Sequence, residues 1–72
     1  MQALYKDLVK HFGGQKLTAI ALGVSQANIS GYVSGRWNMS ELIAMRAEKA
    51  TDGKFKASDL CPSLKEFQKL TA

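Results

Sequence analysis

The chain has a single cysteine, Cys61, and a single histidine, His11. One cysteine closes no internal disulfide, and no second one begins a metal quartet. A nucleophilic thiol needs a nearby base to lower its pKa, and His11 lies far off in sequence, so Cys61 reads as a reduced, semi-buried small residue. His11, at the end of an apolar stripe, reads as a helix C-terminal partner rather than a switch. The sequence shows no nucleophile beside a base, no paired acids, no metal-ligand cluster and no phosphate-cradling glycine loop. It therefore predicts no enzyme: no catalytic residue, no metal site and no cofactor. Long apolar runs are missing too. The longest fall far short of the ~20 residues that cross a bilayer, and no apolar signal core follows the first basic residues, which predicts a cytoplasmic protein with no membrane partner. The N-x-S triplets at Asn28 and Asn38 are then chance matches to a glycosylation acceptor.

Repeats and low-complexity runs are likewise absent. With 72 residues, 46% hydrophobic and 22% charged, the chain has the balance of one small globular domain. Acids are scarce in its first half: up to residue 40 it carries Lys6, Lys10, Lys16 and Arg36 against Asp7 alone, within a net charge of +4. The N-terminal half is the more electropositive, which suits nucleic acid but needs a shape to act through.

Apolar spacing supplies that shape. Leu4, Leu8 and Phe12, with Tyr5 and Val9 beside them, predict a helix of about three turns, ended by Gly13-Gly14. A second, very short helix sets Leu17, Ile20 and Ala21 on one face and stops at Gly23. Ser25 stands where an N-cap belongs, opening a third helix from Gln26 to about Ser34 with Ile29 and Tyr32 inward. After a loop through Trp37, which is expected to cover the core edge between the third and fourth helices, Asn38 and Glu41 match a capping box. Leu42, Ile43, Met45, Ala47 and Ala50 form the expected buried side of that fourth helix, which Asp52-Gly53 closes. Residues 54–57 read as a short extended segment, Pro62 as a turn, and Ser63 with Glu66 as a second capping box, with Leu64, Phe67 and Leu70 along one side of a last short helix. The predicted class is all-α.

Two short helices joined by Gly23-Val24-Ser25 form a helix-turn-helix, whose second helix is a ridge narrow enough for the DNA major groove. Small Ala19 lets the helices approach, while Leu22, Val24, Ile29 and Tyr32 bury the unit. What remains outward on the third helix is polar and small, with no arginine, so the commonest specific contact to guanine is missing and an A·T-leaning readout follows.

The stretch HFGGQKLTAIALGVSQANISGYVSG, followed by MRAEKATDGKFKASDL, resembles the Cro/repressor-type helix-turn-helix regulators of bacteriophages and prophages. Within them it is most similar to the YdaS-like and Cro-like proteins, where His-Phe-Gly opens the motif and Glu-Lys-Ala-Thr-x-Gly closes the last core helix. The resemblance covers roughly residues 4 to 60. It implies a four- to five-helix, lambda-repressor-like fold, with residues 1–62 as the DNA-binding domain and 63–72 as a C-terminal short helix or tail. It also implies a transcriptional repressor in a bacterial host, at the nucleoid, binding a pseudo-palindromic double-stranded DNA operator as a homodimer, sometimes beside a toxin gene. By the same resemblance Gln15 contacts a phosphate and braces Gln26, and the exposed positions of the reading helix fall on Ala27, Asn28, Ser30 and Gly31.

Chemistry refines those positions. The amides of Gln26 and Asn28 suit adenine, Ala27 a thymine methyl, and Ser30 a base edge or phosphate, while Ser25 divides between capping and the DNA backbone. Gly31 departs from the family pattern of a longer polar side chain and costs ~1 kcal/mol of helix propensity. It is open either to a close approach of the DNA backbone or to empty groove. Lys16, Arg36 and Asn38 are the expected peripheral phosphate contacts. One such head reads only ~4 to 6 base pairs, so specificity requires a dimer, stable or completed on DNA. Phe55 within an antiparallel ribbon, or Leu64, Phe67 and Leu70 across a two-fold axis, are the candidate dimer contacts. The alternative is an antitoxin or other protein-interaction module whose C-terminal segment clamps a toxin or regulator, separable by deleting residues 63–72.

Overall fold

The computed structural model describes residues 2–64 and 66, and in order along them come the helices α1 (Gln2–Phe12), α2 (Gln15–Leu22), α3 (Gln26–Val33), α4 (Glu41–Ala50) and α5 (Ala57–Leu60), with residues 62–64 helical as well. No strand occurs among the described residues. This is the all-α class that the apolar spacing predicts. The chain divides into two compact units, Met1–Trp37 and Asn38–Ala72.

In the first unit α1, α2 and α3 pack against one another. Tyr5 and Leu8 of α1 are fully enclosed, with Leu4, Val9 and Phe12 half-buried beside them, so the expected stripe is present but centred on its inner pair. The Tyr5 and Tyr32 rings meet at 5.6 Å between centroids, which ties α1 to α3. Ala19 and Leu22 of α2 and Ile29 and Tyr32 of α3 are buried as the helix-turn-helix pattern requires.

The face of α2 that periodicity picks out faces solvent instead: Leu17 is 53% exposed, Ile20 69%, and Ala21 is exposed as well. Thr18, Ala19 and Leu22 face inward. Thr18 is 1% exposed and tolerates this because its hydroxyl donates to the Gly14 carbonyl at 2.7 Å.

The second unit departs from expectation at the start of α4, while Asp52 and Gly53, both at positive φ, close the helix as expected. Its N-cap is Ser40, whose hydroxyl accepts from the Ile43 amide at 3.4 Å, not Asn38. Glu41 is thereby the first helical residue and is too early to reach back as a capping box needs. Its carboxylate accepts from the Ser63 hydroxyl instead, and that bond, with one from its own backbone amide, holds the carboxyl below the usual range. Ser63, expected to cap the last helix, is engaged by Glu41 and by the Cys61 sulfur at 3.1 Å.

The buried side of α4 is Ile43, Ala44 and Ala47, with Met39 just before it. Leu42 and Met45, expected inward, are each 58% exposed, and Ala50 is exposed too. Ala44 and Ala47 are fully enclosed, and α5 packs onto α4.

Residues 54–57 do not form the expected extended segment. Thr51 gathers them into a turn: its carbonyl accepts from the Lys54 amide at 3.1 Å and its hydroxyl from the Phe55 amide at 3.2 Å. Ala57 then opens α5, where its amide donates to the Glu48 carboxylate at 2.7 Å. A carboxylate at a helix start satisfies an orphan donor and suits the local dipole.

Candidate nucleic-acid interface

The helix-turn-helix is framed by two helix endings of the same kind. At the end of α2, Gly23 adopts φ 70°, its amide donates to the Ile20 carbonyl, and the Val24 amide donates to the Ala19 carbonyl at 3.0 Å. At the end of α3, Gly35 has φ 82°, its amide donates to Tyr32, and the Arg36 amide donates to the Gly31 carbonyl at 2.9 Å. Both pairs satisfy the last carbonyls of a helix while turning the chain sharply. At Gly23 the left-handed conformation is what allows α3 to start only three residues later, because a side chain there would be strained.

Ser25 is the N-cap of α3, accepting from the Asn28 amide at 3.2 Å, as its place in the sequence predicts. With Ile29 and Tyr32 turned inward, helical geometry sends Gln26, Ala27 and Ser30 outward, and all three are exposed. Asn28 sits at the edge of this strip, half-buried. The strip carries no charge. Basic side chains border it: Lys16 in the first turn of α2 and Arg36 beyond α3 are exposed, and Gln15 opens α2 half-buried. Asn38, the remaining expected backbone contact, is exposed and belongs to the second unit.

Burial pushes the Tyr32 phenol above its ordinary pKa, and the neighbouring Tyr5 adds to the effect. At neutral pH the inner face of α3 is therefore uncharged.

Gly31, expected to meet the DNA backbone or empty groove, has a neighbour from its own chain. It is buried beneath the indole of Trp37, so closely that a Cβ would lie 2.4 Å from ring atoms Cε2 and Cζ2. Trp37 itself remains 42% exposed, and the Arg36 guanidinium carbon stands 5.6 Å from its ring centroid. Sequence reasoning placed Trp37 at a core edge and missed this contact. The signal was present: a glycine inside a helix costs ~1 kcal/mol, and a bulky ring follows just beyond the next glycine turn.

Among the candidate dimer contacts, Phe55 and Leu64 are half-buried, and Phe67 and Leu70 lie outside the described residues. The ribbon pairing imagined for Lys54-Phe55-Lys56 loses two of its donors, because the Lys54 and Phe55 amides are already bonded to Thr51. Cys61 is free and buried, and no group of three or more metal-ligating side chains occurs among the described residues. No helix among them is long and apolar enough to cross a membrane.

No family model matches the chain, and no solved structure matches it. A curated relative does: the regulatory protein Cro of Pseudomonas phage D3 is 54% identical over 63 residues, covering 88% of this chain and 86% of the relative. Identity at that level over nearly the whole of both chains, on an all-helical fold with a helix-turn-helix, settles the kinship: the chain belongs to the Cro family of phage regulatory proteins.

Proposed function

We propose that the chain is a sequence-specific double-stranded-DNA-binding transcriptional repressor of a phage or prophage, reading a pseudo-palindromic operator in the major groove as a homodimer. The observation that carries this reading is the outer strip of α3. Gln26, Ala27 and Ser30, with Asn28 at the edge, offer amide, methyl and hydroxyl groups and no bulky apolar anchor, which is what base edges accept and what a protein partner does not. In this reading Gln26, Ala27, Asn28 and Ser30 contact bases. Gln15, Lys16, Ser25, Arg36 and Asn38 contact the backbone, and Gly31 leaves that set because Trp37 covers it. The excess of basic residues in the first unit supplies attraction that weakens steeply with salt. No step of this function asks for a cofactor or for catalysis.

Selection from a pool of random duplex DNA at physiological salt tests the proposal. The expected result is an enriched pseudo-palindrome with half-sites about one helical turn apart. A folded protein that enriches nothing would overturn it. A second reading, a protein-interaction module such as an antitoxin, draws on a different observation, the exposed Leu17 and Ile20 on α2. That reading predicts no motif from the DNA pool, and loss of partner capture in an Ile20→Ser variant.

A further inference from the structure

We propose that Trp37 is a positioning residue for Arg36, holding its guanidinium beside the reading helix for a DNA phosphate, and that Gly31 is a glycine because only a bare Cα admits the indole. The inference rests on the DNA-binding reading above and adds to it a residue that touches no base.

Three observations carry it. First, the fit at Gly31 leaves no room. A Cβ there would stand 2.4 Å from Cε2, 2.4 Å from Cζ2 and 2.8 Å from Nε1 of Trp37. These are atoms of one rigid ring, so no flexible tip can swing aside. Second, the loop between the two residues is fixed by its own bonds. The Gly31 carbonyl accepts from the Arg36 amide at 2.9 Å and from the Ser34 hydroxyl at 3.2 Å, and the Trp37 amide lies 3.5 Å away. Third, the ring does little to fill the core. It is 42% exposed, whereas Tyr5, Leu8, Leu22 and Ile29 are each exposed by 1% or less. It lies against Gly31, and the Arg36 guanidinium carbon stands 5.6 Å from its centroid.

Geometry then gives the indole a place relative to the reading strip. Gly31 lies one turn beyond Ala27 and next to Ser30, so the ring borders the strip rather than obstructing it. An arginine held there stands at the flank, where the phosphate backbone of a groove-bound duplex runs. A guanidinium held over an aromatic ring has fewer conformers to lose on binding than one free in water. Glycine at residue 31, tryptophan at 37 and arginine at 36 thus form one device: the first makes space, the second fills it, and the third is aimed by it.

The test uses the full chain, random-sequence duplex DNA as the probe, and affinity measured over a series of salt concentrations. Arg36→Gln and Trp37→Ala are each expected to weaken binding about fivefold. Each also flattens the plot of log affinity against log salt by about 0.9, one phosphate's share. The double variant should bind no worse than Arg36→Gln alone, and Trp37→Phe should keep most of the affinity. Losses that multiply in the double variant, or a Trp37→Ala variant whose salt slope is unchanged, would overturn the positioning role.

Trp37 is the only tryptophan, so its emission reports the device without DNA. Gly31→Ala is expected to shift that emission to the red and to weaken binding as Trp37→Ala does. Unchanged emission would overturn the reason given for Gly31. Should Gly31→Ala fail to fold, Gly31→Ala with Trp37→Ala must fold, because the clash leaves with the ring; a double variant that stays unfolded would also overturn it. A wild-type chain that binds no duplex even at low salt would remove the DNA-binding reading and this one together. Multiplying losses in a wild type that does bind would remove only this one.

Discussion

Helices α2 and α3 are both eight residues long, adjacent, and ended by the same glycine turn, yet their outer faces are chemically opposite. On α2 the solvent side is Leu17, Ile20 and Ala21 with Lys16 at its start, and the inward side includes a threonine. On α3 the solvent side is Gln26, Ala27 and Ser30, and the inward side is Ile29, Gly31 and Tyr32. Burial in so small a unit follows shape before hydropathy. At the α2 contacts, small Ala19 and self-satisfied Thr18 fit where leucine or isoleucine would hold the helices apart. The apolar surface displaced outward on α2 is left as surface, which is unremarkable for single side chains but uncommon for adjacent ones.

The largest effect separates the two sides of α2. Leu22 is fully buried, so Leu22→Ala should cost ~2 to 5 kcal/mol, while Ile20→Ala should stay within ~0.5 kcal/mol. Paired urea titrations measure both. Near-equal losses would mean that the inward face of α2 is the one its periodicity suggests, and the contrast with α3 would disappear.

Next in size comes the outer face of α3. Gln26→Ala and Asn28→Ala should each remove ~1 to 3 kcal/mol of discrimination between the selected operator and random duplex, leaving non-specific binding largely intact. Lys16→Ala should weaken every sequence alike and flatten the salt dependence. Ile20→Ser, on the outer face of α2, should change neither. Uniform losses for all four in competition binding would show that the faces are not divided in labour as proposed.

These contrasts mark how far the sequence could be read. The face of α3 was legible because Ile29 and Tyr32 leave no rival inward pair and Ser25 announces where the helix starts. The face of α2 was not: within eight residues, Leu17, Ile20 and Ala21 make as regular a stripe as Thr18, Ala19 and Leu22, and a buried threonine is invisible until its carbonyl partner is known. The same ambiguity misplaced Leu42 and Met45 on α4, where alanines face inward. The Asn38–Glu41 box competed with a serine two residues closer to the helix, and Ser40 is the cap. Helix α5 escaped notice because its opening donor is satisfied by Glu48, nine residues back, a contact that no local pattern encodes. Gly31 was noticed as an anomaly, but its explanation lies in a ring beyond the next turn.

A smaller effect concerns how each helix begins. Ser25 caps α3 with its hydroxyl, whereas α2 starts at Gly14 with no side-chain cap. Ser25→Ala should therefore cost ~1 kcal/mol in thermal melts, and restoring the hydroxyl with Ser25→Thr should recover most of it. A neutral Ser25→Ala would place the start of α3 under the control of packing alone, as for α2.

The smallest effect is a slope rather than a loss, and it separates the inner faces. Thr18, the polar group that α2 buries, is neutral at every accessible pH, while Tyr32 on α3 can ionise. Its phenol is held above the ordinary tyrosine value by burial and by Tyr5. A group whose folded pKa exceeds its unfolded one contributes stability that is complete below the unfolded value and is lost as pH rises through the folded one. The chain should therefore lose stability on the alkaline side, above the ordinary tyrosine range, and hold it toward neutrality. In Tyr32→Phe that alkaline decline should be shallower, because the Tyr32 phenol no longer has to ionise within the α1–α3 contact. Urea midpoints followed from neutral to alkaline pH read the difference. A decline of equal steepness in both proteins would show that ionisation of Tyr32 does not drive it.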